Sequence, residues 1–123
     1  MQQLFIGDIS LSDGIIESVM LLEGAARVEF RLWDGGRALF RFTGVIGVRD
    51  RNSAGQEVES MEIEEVALIQ VVPAEPFLTE LMEERRADRT APILRYAFIG
   101  SWTMRPILEI YAEYMEAERA YGL

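Results

Sequence analysis

The chain contains no cysteine, no histidine and no lysine, so all twelve of its basic residues are arginine. Each absence removes a chemistry. Without cysteine there is no disulfide framework, no thiolate nucleophile and no structural zinc site of the usual kind. Without histidine the commonest general base near neutral pH is missing. Without lysine there is no Schiff-base chemistry and no phosphate-loop lysine. The exclusive use of arginine is read as the coding bias of a GC-rich genome and not as mechanism. No apolar run reaches membrane-spanning length. The start, Met1 to Asp8, lacks a basic region followed by a long apolar one. A cytoplasmic protein is expected, with no membrane partner.

What is present fits one domain over residues 1–123, half of it apolar. A chain of this size buries roughly two thirds of its unfolded surface, so a core forms without metal or disulfides. The net charge of −9 disfavours nucleic acid, whose phosphates need cationic side chains, and anionic membranes. It suits a basic protein partner, or solubility alone.

Most of the sequence alternates with the period of a strand. Gly14 to Leu22 is apolar apart from Glu17-Ser18. From Arg27 to Trp33, Val28, Phe30 and Leu32 lie on one face and Arg27, Glu29 and Arg31 on the other. Asp34-Gly35-Gly36 predicts a three-residue hairpin loop with Gly36 left-handed, setting Phe30 opposite Phe40, Val28 opposite Phe42 and Glu29 opposite Arg41. A two-residue loop would turn arginines onto the core face. The third strand runs on to Val48, with a bend or bulge at Gly44 and Gly47. Glu57 to Val72 reads as a strand interrupted near Glu64-Glu65, and Val66 to Val72 as a central strand. From Pro76 the period changes, and Phe77, Leu78, Leu81, Met82 and Arg85 share one face, predicting a helix over 76–88. Thr90 to Trp102 reads as another strand. The tail, 107–119, fits either period and is assigned as a strand from its β-branched and aromatic residues. The expected fold is α+β: an antiparallel, strongly curved or barrel-like sheet of about six strands with one helix.

Three segments, "LSDGIIES" from Leu11, "RALFRFTGVIGVR" from Arg37 and "ILEIYAEYMEAER" from Ile107, together resemble a group of short bacterial domains of uncharacterised role. Some of those lie beside polymorphic toxins and are thought to act as immunity proteins. The resemblance implies a β-rich fold and a protein partner. Ser12 stands where those domains often carry histidine, so no role of that histidine transfers.

The candidate chemistry is sparse. "DRNSAGQEVESMEIEE", Asp50 to Glu65, opens like a calcium loop, but Ala54 and Met61 occupy positions that must supply oxygen ligands. A turn built on Asn52, Ser53 and Gly55 is expected instead. Glu57, Glu59, Glu62, Glu64 and Glu65 form an acidic run. Unbroken strand parity would put Glu57 and Glu59 on one face and Glu62 and Glu64 on the other, splitting any metal or acid/base site. Asp8 and Asp13 have no evident route to that run. Ser18, Ser60 and Ser101 have no histidine to activate them. Trp33 and Trp102 sit beside predicted loops, where packing beneath the loop is expected and anchoring an interface is the alternative. No catalytic residue, metal or cofactor is assigned.

The expected function is a non-enzymatic binding or regulatory module, in its sharpest form an immunity-type protein that neutralises a basic partner. Its contact residues would be Glu57, Glu59, Glu62, Glu64, Glu65, Trp33 and Trp102. The alternatives are a small-ligand-binding barrel or carboxylate-based hydrolase, and a homodimer joined through an apolar edge strand such as Val66 to Val72.

Overall fold

The computed structural model describes residues 1–66 and 92–120, and every regular element among them is a strand. The expected α+β class is therefore corrected: the described protein is all-β. The helix predicted over 76–88 and nearly all of the strand predicted over 66–72 lie outside the described residues. The strands are β1 Gln2–Gln3, β2 Phe5–Ile6, β3 Ile9–Ser10, β4 Gly14–Leu22, β5 Ala25–Arg31, β6 Arg37–Thr43, β7 Gly47–Asp50, β8 Glu57–Glu65, β9 Leu94–Gly100, β10 Pro106–Ala112 and β11 Tyr114–Ala120. Nine of them form one antiparallel sheet in the order β11-β6-β5-β4-β8-β9-β10-β7, with β1 added to β8, while β2 and β3 form a separate hairpin.

The strand number exceeds six because two long strands break and three short strands precede β4. The expected third strand divides at Gly44, which is left-handed (φ 64°), into β6 and β7. The tail is a strand, as assigned, but divides at Glu113 into β10 and β11. The breaks face each other: Ile46 N–H donates to the Tyr111 carbonyl, and Glu113 N–H to the carbonyls of Thr43 and Gly44. The β6–β11 ladder therefore continues into the β7–β10 ladder, and the sheet closes on itself. Closure pairs both long strands along their length and removes two edges.

The alternating rows read from the sequence fill the interior. Val28, Phe30, Phe40, Phe42, Met61, Phe98, Leu108 and Ile110 are fully buried. Phe40 meets Phe30 and Phe98 edge-on at ring-centre distances of 5.6 and 5.4 Å, a geometry favoured by the ring quadrupoles. Ile9 and Leu11, on and just after the small hairpin, join the same core.

The hairpin register differs from expectation by two residues. Val28 pairs with Phe40, Phe30 with Ala38, and Arg27 with Arg41. The faces are right because a shift of two preserves parity. The loop does span three residues, but they are Trp33, Asp34 and Gly35: Leu32 N–H bonds the Gly36 carbonyl at 2.7 Å. Gly35, not Gly36, takes the left-handed conformation (φ 89°), and Asp34 Oδ1 accepts from Gly36 N–H at 2.9 Å. That side-chain bond competes with the simpler turn inferred from glycine spacing alone.

Candidate functional site

β8 carries the acidic run, and its geometry turns on one irregularity. Pairing with β9 shifts between Val58 and Ser60 (Val58 opposite Gly100, Ser60 opposite Ile99), so Glu59 is the extra residue of a bulge. The predicted break near Glu64-Glu65 is absent there, since Glu64 pairs with Arg95 and Glu65 with Leu94 in register. The bulge resets parity. Val58, Met61 and Ile63 point into the barrel, with Val58 and Met61 fully buried. Glu57, Glu62 and Glu64 fall on the outer face. The expected split between Glu57 and the Glu62–Glu64 pair is thus corrected, because one inserted residue restores Glu57 to their side.

Glu62 and Glu64 converge on a residue the sequence did not single out. Arg95 of β9 places Nη1 3.2 Å from Glu62 Oε1 and 3.1 Å from Glu64 Oε1. Its Nε lies 3.4 Å from Oε2 of Glu109 on β10. Tyr111 donates its hydroxyl to the same Glu109 oxygen at 3.1 Å. The Arg95 side chain is 15% exposed and that of Glu109 8%, whereas Glu62 and Glu64 are about half exposed. Burial alone would lower the Arg95 pKa, but Glu109 foremost, with Tyr111, Glu62 and Glu64, raises it, so the guanidinium stays charged. Burial, and then the adjacent Glu109 carboxylate, push the Tyr111 hydroxyl pKa up. A lone arginine in the apolar run "ILRYAFIG" and a lone glutamate in "ILEIYA" were the available signals. Each occupies an outward position of a strand that is otherwise buried on both faces.

Pairing gathers the remaining predicted residues at one end of the barrel. Gly14 opposes Val58, Ile15 opposes Arg31, Arg31 opposes Arg37, and Val58 opposes Gly100. The start of β8 with Glu57 and Glu59, the β5–β6 loop with Trp33 and the β9–β10 loop with Trp102 therefore share that end. Ser101 N–H donates to the Glu57 carbonyl at 3.0 Å, which ties the Trp102 loop to β8. Neither tryptophan packs beneath its loop: Trp33 is 67% exposed and Trp102 87%. Asp13, Asn52 and Met104, the described non-glycine residues with positive φ, also lie in loops at this end. Glu65 lies at the far end of β8, exposed.

The stretch Asp50 to Gln56 is a turn braced by its own side chains, although the buried Ser53 hydroxyl has no hydrogen-bond partner among the described residues. Asp50 Oδ1 accepts from Ser53 N–H at 2.9 Å, and Gln56 Nε2 donates to the carbonyls of Arg51 and Asn52. Asp50 Oδ1 and the Arg51 and Asn52 carbonyls are engaged within the turn, and no cluster of three or more potential metal ligands occurs among the described residues. None of the described residues forms a helix long and apolar enough to cross a membrane. No protein-family model, curated protein or solved structure matches the chain, so the likeness to short bacterial domains rests on the three segments alone.

Proposed function

We propose that the protein is a binding module that engages a basic protein partner through the outer face of β8, in the manner of an immunity protein neutralising a toxin domain. The observation that carries this reading is the charge balance of that strand. Five glutamates lie along it, and the only arginine bonded to them among the described residues is Arg95, which is shared between Glu62, Glu64 and the buried Glu109. Carboxylates left in excess on a rigid strand raise the encounter rate of a cationic partner and set its orientation. Glu57 and Glu59 adjoin the Trp102 loop, whose exposed indole supplies the apolar contact that charge alone does not. The aromatic filling of the barrel speaks against a ligand held inside it.

The test compares two variants of equal net charge. Glu57, Glu59, Glu64 and Glu65 are changed to glutamine in one, and Asp8, Glu29, Glu116 and Glu118 to the corresponding amides in the other. Binding of a labelled nona-arginine peptide is followed by fluorescence anisotropy at two salt concentrations. The β8 variant is expected to bind about tenfold more weakly than the control variant, with a shallower salt dependence. Equal loss in both variants would reduce the effect to net charge and overturn the reading.

A further inference from the structure

Among the described residues, most strands of the barrel have a neighbour on both sides along their length, but β4 does not. Along its whole length it pairs with β5, yet it meets β8 only at Gly14 and Ile15. Two further bonds join Ile16 to Gln56 and Gly55. Beyond them the two strands part, and β1 takes the β8 edge at Met61 and Glu62. From Ser18 to Leu22, β4 has no strand on its second side among the described residues.

The free groups on that edge follow from the hairpin. Leu22 and Ala25 are paired across the two-residue turn Glu23-Gly24, so they are a hydrogen-bonded pair. Alternation then directs the N–H and C=O of Val19 and Leu21 away from β5, to the open side. The side chains agree. Leu21 opposes Ala26 and Val19 opposes Val28, and both partners are wholly buried. Leu21 thus belongs to the inward row, yet it is 58% exposed. An inward leucine open to solvent, beside two backbone positions that no described strand pairs, marks a gap of one strand's width in the wall formed by the described residues.

The charge around this opening selects what fits it. β1, β4 and β8, the strands that border it, carry no arginine. Glu62, Glu64 and Glu65 stand on the β8 side and Glu23 at the foot of β4. We infer that an extended segment of the basic partner adds to β4 as an antiparallel or parallel strand, its apolar side chains over Val19 and Leu21 and its alternating arginines or lysines toward the glutamates. Backbone pairing supplies the attachment and the alternation supplies the selectivity. This inference rests on the acidic-strand reading above and adds to it the mode of binding.

The probe is an eight-residue peptide alternating arginine and valine, blocked at both ends, added to the 15N-labelled full chain. In the free protein the Val19 and Leu21 amides are expected to exchange rapidly, and the peptide to slow both by at least tenfold. Leu21→Pro removes one free donor without touching a β5 bond. It is expected to weaken the alternating peptide at least tenfold and to leave nona-arginine binding unchanged. If Leu21→Pro fails to fold, the exchange measurement on the unaltered chain decides alone. Protection of both amides before peptide is added, whether or not it depends on protein concentration, means that the chain itself or a second copy holds the edge, and overturns the inference. So does unchanged exchange at saturation. Loss of both peptides in the β8 glutamine variant, with Leu21→Pro sparing both, retains the acidic strand and removes strand addition. Weakening of the alternating peptide by Leu21→Pro alone, with the β8 variant inert, removes the acidic-strand reading instead.

Discussion

Arg95 Nε lies 3.4 Å from Glu109 Oε2, and this pair sits on the outer face of the barrel with both side chains largely withdrawn from water. A guanidinium so placed is held by opposite charge, because removing it from solvent otherwise costs several kcal/mol. The two ends of the pair are not equivalent. Glu109 is bonded by Arg95 and by the Tyr111 hydroxyl, whereas Arg95 is bonded to Glu62 and Glu64 as well. Arg95→Met is therefore expected to destabilise the fold by about 2–4 kcal/mol, since it removes the guanidinium bonded to a buried carboxylate. Glu109→Gln is expected to cost only about 1 kcal/mol. Urea unfolding of the two variants checks the order; a larger loss for Glu109→Gln would contradict it.

The tyrosines carry a pH dependence. Burial first, and then a nearby Tyr114, raise the Tyr96 pKa, while burial and the Glu109 carboxylate raise that of Tyr111. In both cases the folded state favours the neutral phenol. The stabilisation is fully present below the unfolded tyrosine value of about 10 and is lost as pH rises through the folded values. The urea midpoint is expected to fall as pH rises above about 10, and Tyr111→Phe to flatten part of that fall. A midpoint rising over the same interval would be the wrong sign.

Gly14 is fixed by a close approach and not by its backbone angle. A Cβ there would lie 2.2 Å from Phe30 Cζ and 3.1 Å from the Arg31 carbonyl oxygen. Phe30 is locked between Phe40 and Phe98, so its ring cannot withdraw without disturbing the core. Gly14→Ala is expected to cost about 2 kcal/mol, and the double variant with Phe30→Leu to lose less than the sum of the two single losses, because the smaller side chain makes room for the added methyl. Strict additivity in a double-mutant cycle would show that the ring moves freely.

The exposed and buried aromatics should separate cleanly. Trp33→Ala and Trp102→Ala are expected to change stability by no more than about 0.5 kcal/mol, while Phe40→Ala costs about 3–5 kcal/mol. Chemical denaturation measures all three. A large loss at either tryptophan would show that it packs in solution, and would remove it from the contact surface.

Much of the fold was readable because alternation is a local property. Gly14 to Leu22 reads as a strand from its own residues and is one over that same range. The Val28-Phe30 and Phe40-Phe42 rows face inward because period 2 allows no other core face. The run at Asp50 lost its calcium reading from Ala54 and Met61 alone, and it forms a turn.

Pairing partners were not local. The β5–β6 register slipped by two because Asp34 bonds to Gly36 and pulls the loop one residue earlier. The bulge at Glu59 is invisible in "EVESMEIEE", since only the partner strand reveals a surplus residue, and that residue decides which glutamates share a face. Arg95 and Glu109 are fourteen positions apart and read as single charges in apolar strands until β9 and β10 lie side by side.

The amino-acid sequence by itself determined the inward and outward rows, the acid excess and the exclusion of thiol, histidine and lysine chemistry, because these depend only on residue type and strand period. Tertiary structure alone decided the closure through the breaks at Gly44 and Glu113, the gathering of three carboxylates on Arg95, and the edge of β4 that no described strand covers. Each of those is a relation between strands, set by pairing over long separations, and no short stretch of chain contains it.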